Sequence, residues 1–154
     1  MKKAKEELRR IRFQGPEFSE WLALRDQVLR KPLGLDFSRE DIAEEAEQVH
    51  LVCLREEKVV GGLILRKESD PGVAYHMRQV AVLPEFQGQG IGRRLVAFAE
   101  NFVMAQGGGT IVLHAREPAV PFYEKLGYQT EGERFEEVGI PHWKMSKVLR
   151  EFSP

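Results

Sequence analysis

The sequence predicts an α+β fold with a mixed, largely antiparallel central sheet. A strand-like run over residues 78–82 leads into a glycine-rich turn and a long amphipathic helix, and an apolar run over residues 110–114 follows that helix. This order is typical of two parallel strands joined by a right-handed crossover. Two pairs of strand-like runs, separated by short turns near residues 56–57 and 139–141, predict antiparallel hairpins. The crossover and the hairpins together predict the mixed sheet.

The N-terminal part of the chain predicts one strand and two helices. Alternating apolar residues predict a strand over residues 8–13. Apolar residues at helical spacing, with a proline in the first turn, predict a helix over residues 16–30. Ser38 followed by Asp41 resembles a capping box, which predicts a second short helix over about residues 39–46.

The remaining elements complete the order β-α-α-β-β-β-α-β-α-β-β. Two glycines, Gly61 and Gly62, lie inside a predicted strand and indicate a bulge or a close approach of the backbone. The elements after residue 46 are strands over residues 49–55, 58–67 and 73–82, a helix over 88–106, a strand over 110–114, a helix over 119–126, and strands over 128–138 and 141–149, with a turn at 70–72.

The chain has 154 residues and a formal net charge of -1. This length fits a single domain spanning residues 1–154, and the charge gives no reason to expect nucleic-acid binding. No apolar run reaches the roughly 18 residues that cross a membrane, and the basic N-terminus lacks the apolar core of a signal peptide. We therefore expect a cytoplasmic protein without a membrane contact. The single cysteine, Cys53, lies in an apolar strand and is expected to be buried rather than catalytic.

The segment after the strand at residues 78–82 has the composition of an anion-binding loop. Its glycines allow a tight turn with positive φ and let a ligand approach the main chain. The helix that follows adds unpaired N–H groups and the positive end of its dipole, so a pyrophosphate would be bound mostly by main-chain nitrogens. Two arginines add positive charge at the same place. The segment is Gln87, Gly88, Gln89, Gly90, Ile91, Gly92, Arg93 and Arg94.

Other nucleotide-binding patterns match this loop less well. A P-loop needs Lys followed by Ser or Thr after its last glycine, where this chain has Arg93 and Arg94. The dinucleotide-binding pattern G-x-G-x-x-G places Arg93 or Leu95 at its third glycine, and the next strand ends in Arg116 instead of an acidic residue. A glycine-rich turn that binds nothing is the remaining alternative.

Two motifs in the chain resemble the GNAT N-acetyltransferase superfamily. The spacing Gln87-x-x-Gly90-x-Gly92 is similar to the acetyl-coenzyme A signature Gln/Arg-x-x-Gly-x-Gly/Ala of that family. Residues 119–128, AVPFYEKLGY, are similar to its A-x-x-F-Y-x-K-x-G-F/Y segment, and residues 136–145 resemble a subgroup of small bacterial members. The resemblance implies a GNAT-like three-layer α/β/α sandwich and an acetyl-CoA-dependent N-acetyltransferase.

The resemblance also implies where acetyl-CoA binds and which residue protonates its sulfur. The pantetheine arm is expected to pair with the strand at Val80, Ala81 and Val82, because diverging strands leave peptide groups for a ligand's amides. A main-chain N–H near Val82 is the expected oxyanion donor. Tyr123 is expected to be the general acid, with Phe122 turned to the core. The pyrophosphate is expected on Gln87, Gly88, Gln89, Gly90, Ile91, Gly92 and Arg93.

The acceptor is expected to be a primary amine of a small molecule or a peptide, without further identification. The general base stays open between a water chain and the titratable residues His76, His114, Glu137 and His142. No metal is expected, because the four histidines lack the spacing of a ligand set. A non-catalytic acyl-CoA-binding or regulatory module is the alternative function. Exposed strands near the carboxyl end favour a homodimer.

Overall fold

The structure is a computed structural model that describes residues 5–34, 42–68 and 74–149. The chain divides into two compact units. We name them the first unit, Met1–Arg66 with Gln79–Ala99, and the second unit, Lys67–Arg78 with Glu100–Pro154. No helix in the described ranges is long and apolar enough to span a membrane.

The strands in the described part of the chain form one mixed sheet. In chain order they are β1 (Glu6–Ile11), β2 (Val49–Arg55), β3 (Lys58–Lys67), β4 (Ala74–Val82), β5 (Thr110–Arg116), β6 (Gln129–Glu137) and β7 (Ile140–Val148). Their order in the sheet is β1-β2-β3-β4-β5-β7-β6. Strands β4 and β5 are parallel, whereas the pairs β1–β2, β2–β3, β5–β7 and β6–β7 are antiparallel. The predicted α+β class with a mixed, largely antiparallel sheet is confirmed.

Three α-helices matter for the candidate site: α1 (Phe18–Arg25), α2 (Ile91–Ala105) and α3 (Val120–Lys125). Helix α2 follows the glycine-rich segment, as predicted. Its apolar residues recur every three to four positions, and Leu95, Ala99 and Val103 are completely buried. Helix α3 is a single short helix between β5 and β6.

In the first unit, two glycines of β3 allow close packing. A Cβ atom on Gly62 would lie 2.7 Å from Cζ3 of Trp21, and one on Gly61 would lie 3.1 Å from the carbonyl oxygen of Ala81. The pairing of β2 with β3 also shifts register next to Cys53. The close approach predicted for the glycine pair is therefore confirmed, and the register shift leaves the adjacent residue, Val60, as the extra residue of β3.

Cys53 lies in the apolar interior of the first unit, as predicted. Its thiol is free and buried, and its strand neighbours Leu51 and Val52 are completely buried as well. Burial raises the pKa of the Cys53 thiol to about 11. The nucleophilic thiolate is therefore scarce at neutral pH.

A buried polar network lies in the first unit. Arg25 and Glu45 are 0% and 2% exposed, and both terminal nitrogens of Arg25 donate to Glu45 Oε1 over 3.0 Å. The indole N–H of Trp21 donates to His50 Nδ1 over 3.2 Å, so that nitrogen carries no proton. Nε2 of His50 therefore carries the proton and donates to the Glu45 carbonyl over 3.3 Å. We name these four residues the sealed network.

The second unit is built on β5, which pairs with β4 on one side and β7 on the other. Ile111 and Met145 are completely buried in its core. Glu100 in α2 accepts hydrogen bonds from the Tyr128 hydroxyl over 3.0 Å and from Lys147 Nζ over 3.1 Å. These bonds join the last turns of α2 to β7 and to the residue before β6.

In the N-terminal part, the predicted bounds of one strand are wrong and one helix changes its geometry. Strand β1 begins and ends two residues before the predicted strand over residues 8–13, because its pairing with β2 begins at Glu6. Helix α1 ends at Arg25 as an α-helix, and a π-helix, Asp26–Arg30, continues it directly to the predicted end at residue 30 before a 3₁₀ turn, Lys31–Leu33. The predicted extent of the helix is therefore confirmed, with π geometry in its last five residues.

Two predictions fall wholly or partly outside the described residues. These are the Ser38–Asp41 capping box with part of its helix, and the turn at residues 70–72. Where the predicted second helix is described, residues 42–43 are α-helical and Glu44–Glu47 forms a 3₁₀ turn. All elements from β2 onward lie within three residues of their predicted bounds.

Candidate functional site

The parallel pairing of β4 with β5 stops before β4 ends. Its last pair is Met77 with Leu113, whereas β4 continues to Val82. Gln79, two residues after that last pair, has φ of 57°, a left-handed conformation that is strained in a residue with a side chain. This early end of the ladder agrees with the divergence expected from the sequence.

The end of β4 alternates between the core and an accessible side. Ala81 is 4% exposed, whereas Val80 and Val82 are half-buried. The N–H of Leu83 donates to the carbonyl of Val60 on β3 over 2.9 Å. This bond fixes the backbone of the first unit at the point where the glycine-rich segment begins.

The glycine loop, residues 87–92, has the backbone shape that the sequence predicted. Gly88 and Gly90 both have φ of 79°, a value that glycine adopts without strain. The carbonyl of Gly90 accepts a hydrogen bond from the N–H of Arg94 over 3.0 Å in the first turn of α2. Ile91 is 1% exposed and fixes that turn in the core. The first N–H groups of such a helix have no partner within it and are available to an anion.

Two glutamine side chains connect the loop to neighbouring backbone and side chains. Gln87 Nε2 donates to the carbonyl of Val82 over 3.0 Å, and Gln89 Oε1 accepts from Arg55 over 3.1 Å. A Cβ atom on Gly88 would have no neighbour within 4 Å, so the outer side of the loop has room for a ligand. Of the predicted cofactor residues, Val80, Ala81 and Val82 end β4, Gln87, Gly88, Gln89 and Gly90 form the loop, and Ile91, Gly92 and Arg93 open α2.

An ion-pair network holds the start of α2 in place. Arg94 donates to the Glu6 carboxylate over 2.7 and 2.8 Å and to the Gln89 carbonyl over 3.0 Å. Arg55 donates to the same carboxylate over 2.9 Å. Hydrogen bonding to Arg94 is the largest effect, and it holds the pKa of Glu6 below its usual value although burial opposes it. The charge of Arg94, expected at the loop mouth, is therefore paired with Glu6, while Arg93 is exposed.

Tyr123 lies on α3 in the second unit and is 7% exposed. Its ring packs edge-on against Tyr128, with 5.9 Å between centroids. Burial raises the pKa of the Tyr123 phenol, which keeps it protonated through the neutral range. The predicted orientation of Phe122 is wrong, because its side chain is 38% exposed. Adjacent helix positions point about 100° apart, so only one of the two rings occupies the inner face.

The second unit brings together the four residues considered as candidate bases. Glu137 Oε1 lies 3.0 Å from His114 Nδ1, and Glu137 Oε2 lies 3.6 Å from His142 Nε2. The rings of His76 and His114 are 4.8 Å apart between centroids. The ring of Phe135 lies 5.1 Å from that of His114 and 5.9 Å from that of His142. We name His76, His114, Glu137 and His142 the open cluster, because Glu137 is 46% exposed.

The two nitrogens of His142 have different neighbours. Nδ1 lies 2.8 Å from the carbonyl oxygen of Ile140. A carbonyl only accepts, so Nδ1 carries the proton in the neutral ring and Nε2 presents its lone pair. Across the described ranges, no group of three or more His, Cys, Asp or Glu side chains is arranged to hold a metal ion.

Two features of the site had no usable sequence signal. Glu6 is 88 positions from Arg94, and its alternating-charge segment is also typical of a solvated strand. The left-handed φ of Gln79 could not be predicted from the sequence either, because glutamine has no preference for that conformation. Both features depend on contacts between distant parts of the chain.

The chain is similar to acetyltransferases in sequence and in structure. The model of the Acetyltransferase (GNAT) domain family matches residues 26–149. YjcF, an uncharacterized N-acetyltransferase of Bacillus subtilis (strain 168), is 30% identical over 125 residues, which are 80% of this chain and 87% of that protein. Another Bacillus subtilis relative is 33% identical over 98 residues, 64% of this chain and 65% of that protein, so the chain spans just under two thirds of its length.

A solved structure has the same fold. The crystal structure of an aminoglycoside 6'-N-acetyltransferase complexed with coenzyme A is 18% identical, with a TM-score of 0.80 over 96% of this chain and 99% of that chain. The family match and the relatives support an acetyl-CoA-dependent acyltransferase. The chain therefore belongs to the GNAT acetyltransferase family.

Proposed function

We propose that this protein transfers the acetyl group of acetyl-CoA to a primary amine of a small molecule or peptide, and that residues 1–154 act as one acetyltransferase domain. The observation that carries the proposal is the glycine loop at the start of α2, where Gly88 and Gly90 have φ of 79°. Family membership supports acetyl transfer in general. The amine acceptor and the role of each residue are our proposal.

The diphosphate of acetyl-CoA binds the N–H groups of residues 87–93 in this proposal. Two arginines and one carboxylate, Arg94, Arg55 and Glu6, lie at the loop, and exposed Arg93 adds a further positive charge. The local charge balance therefore favours an anion. Because Arg94 is paired with Glu6, its main contribution is to fix the loop, and main-chain nitrogens make the phosphate contacts.

The pantetheine arm is proposed to pair with the backbone at Val80, Ala81 and Val82. The ladder between β4 and β5 stops at Met77, which favours the use of later peptide groups by a ligand. Gln87 already donates to the Val82 carbonyl. We therefore assign pantetheine pairing mainly to the main-chain N–H groups, with one of them near Val82 as oxyanion donor.

Tyr123 is proposed to give its hydroxyl proton to the departing thiolate. The amine lone pair forms the C–N bond while the C–S bond breaks, the sulfur takes the phenolic proton, and a proton lost by the new amide nitrogen replaces it. Burial keeps this phenol protonated at neutral pH, as the role requires. The aminoglycoside acetyltransferase with the same fold makes amine-bearing small molecules a reasonable first acceptor class.

The direct test measures the binding of acetyl-CoA and the acetylation of the acceptor in two separate assays. We expect acetyl-CoA, but not NAD(P), to raise the melting temperature, and a panel of primary amines to release thiol from acetyl-CoA. Stabilisation by acetyl-CoA without product from any amine would support a non-catalytic acyl-CoA-binding module instead. No stabilisation by acetyl-CoA would contradict the proposal.

Replacing Tyr123 by Phe tests the general acid. We expect kcat to fall about 10²- to 10⁴-fold, because the thiolate loses its proton donor, while acetyl-CoA affinity stays unchanged. Tyr128→Phe is the matched control, since it removes a buried hydroxyl from the adjacent ring that is bonded to Glu100. Wild-type turnover in Tyr123→Phe would remove this residue from the mechanism.

The cytoplasmic location, the homodimer and the lack of nucleic-acid or membrane partners stay predictions of the sequence.

A further inference from the structure

We propose that the open cluster is the acceptor site: Glu137 and the rings beside it bind the ammonium group of the amine, and Nε2 of His142 takes its proton. This inference rests on the proposed acetyl transfer to an amine, and it names the residues that select and activate that amine. All of the side chains that carry it belong to the second unit.

The chemistry of the open cluster matches an ammonium ion. One carboxylate, Glu137, is 46% exposed and lies beside a row of aromatic rings. The ring centroids of His76 and His114 are 4.8 Å apart, those of His114 and Phe135 are 5.1 Å apart, and those of Phe135 and His142 are 5.9 Å apart. A carboxylate next to aromatic faces is a chemical environment that attracts an alkylammonium group.

The hydrogen bonding of His142 orients this residue for proton transfer. Its ring is 5% exposed, and its Nδ1 donates to the Ile140 carbonyl over 2.8 Å, which fixes both the tautomer and the ring plane. The other nitrogen, Nε2, lies 3.6 Å from Glu137 Oε2. Nε2 therefore has its lone pair beside a carboxylate that stabilises the ring once it is protonated. This arrangement is suited to accept a proton from an ammonium group that Glu137 binds.

Other charged side chains lie on the strands that surround the open cluster. Arg116 is the register partner of His142 on β5, and Lys144 on β7 is opposite His114. Lys144 also lies 3.7 Å from Glu131, and His76 Nδ1 lies 3.4 Å from Glu68. Glu137 on β6 and Arg116 on β5 are thus charged residues beside His142 on the two strands that pair with β7. Removing the Glu137 charge therefore removes the group that favours a cation at this position.

The proton balance of the step is complete. The ammonium group gives one proton to His142 Nε2, which makes a neutral amine and an imidazolium. The amine then attacks the thioester carbon as described for the proposed function, and Tyr123 supplies the proton of the departing thiol. The imidazolium returns its proton to solvent. One proton is released overall for each acetyl group transferred to an ammonium substrate.

The first experiment is independent of acetyl-CoA and of the natural acceptor. Ring nitrogens of ¹⁵N-histidine-labelled protein are followed by NMR during titration with n-butylammonium chloride, with n-butanol plus sodium chloride as the uncharged control. We expect saturable shifts of the His142 and His114 signals with n-butylammonium alone. Glu137→Gln should weaken this binding at least about tenfold, whereas Glu136→Gln, on the adjacent exposed position, should bind as the wild type does.

Two results of this titration would overturn the proposal. One is the absence of shifts at His142 and His114 up to about 100 mM n-butylammonium, a concentration that would detect even weak binding. The other is equal binding by the wild type and Glu137→Gln. If the titration succeeds but acetyl-CoA neither binds nor reacts, the proposed function fails while the ammonium site stands.

The second experiment tests proton transfer with the best amine of the thiol-release panel. His142→Asn keeps a side-chain N–H that can donate to the Ile140 carbonyl but removes the titratable Nε2. We expect kcat/KM for the amine to fall about 10²-fold or more at neutral pH, with KM for acetyl-CoA unchanged. The deficit should shrink at alkaline pH, because the amine then loses its proton to solvent. A pH-independent deficit, or none, would overturn the role of His142.

Discussion

In each unit a histidine lies next to a glutamate, but the pair is buried in the first unit and its glutamate is exposed to solvent in the second. In the sealed network, Glu45 and His50 are 2% and 1% exposed, and both nitrogens of His50 have fixed partners. In the open cluster, Glu137 is 46% exposed and His142 has a fixed partner at Nδ1. The same two residue types thus stabilise the interior in one unit and leave a proton-accepting nitrogen beside an accessible carboxylate in the other.

The difference follows from the partners that each glutamate has. Glu45 receives two hydrogen bonds from Arg25, so its buried charge is neutralised. Glu137 has two imidazoles beside it and solvent access, so a ligand can still approach its carboxylate. We therefore expect mutations in the sealed network to reduce stability, and mutations in the open cluster to reduce activity.

Glu45→Ala should have the largest effect on stability. It leaves the guanidinium of Arg25 buried without its carboxylate, which typically costs about 3–5 kcal/mol. Chemical denaturation measures the loss, with the exposed neighbour Glu47→Ala as control. A change below about 1 kcal/mol for Glu45→Ala would show that the sealed network is not a major source of stability.

Gly62→Ala should have the next largest effect, because it pushes on the indole of the sealed network. The new Cβ would lie 2.7 Å from the Trp21 ring and 2.9 Å from the Leu51 carbonyl. We expect a loss of about 1–3 kcal/mol, since such overpacking displaces the neighbouring atoms. Thermal or chemical unfolding measures it, and wild-type stability would mean that the indole moves at little cost.

Glu6→Gln tests an ion pair of intermediate burial. Arg94 lowers the pKa of Glu6 in the folded protein. The ion pair therefore adds to the free energy of unfolding above the unfolded-state pKa of Glu6, and this addition is lost as the pH falls through the lower folded-state pKa. We expect a loss of about 1 kcal/mol at pH 7, which disappears once the pH is below the folded-state pKa of Glu6. Denaturation of wild type and variant at several pH values checks this, and a pH-independent difference would contradict the charge interaction.

Glu137→Gln should have the smallest effect on stability. Its carboxylate is half exposed, so we expect the unfolding free energy to change by less than about 0.5 kcal/mol even though acceptor turnover falls. Chemical denaturation beside the kinetic assay separates the two effects. A stability loss as large as that of Glu45→Ala would remove the contrast between the two units.

The sequence predicted the fold class and nearly all elements because their signals are local. The apolar period of α2, the hairpin pattern around Gly139 and the glycine spacing at Gly88 and Gly90 each lie within one segment. The change from α to π geometry after Arg25 was not predicted, because π and 3₁₀ segments have no distinct residue preference.

The residues of the site were easier to name than their partners. His76, His114, Glu137 and His142 could be selected as titratable strand residues, yet only the pairing of β4, β5, β6 and β7 brings them together. The pairing of Glu6 with Arg94 and the exposure of Phe122 had no local signal, since both depend on which face of an element packs inward.

The most direct test of the account is calorimetric titration of acetyl-CoA into the wild type, Gly90→Val and Gly34→Val. Gly90 and Gly34 have φ of 79° and 69°, so both variants carry similar backbone strain, but only Gly90 lies in the glycine loop. We predict that Gly90→Val weakens acetyl-CoA binding at least about tenfold while Gly34→Val binds as the wild type does. Equal binding by all three proteins would contradict the claim that this loop holds the diphosphate.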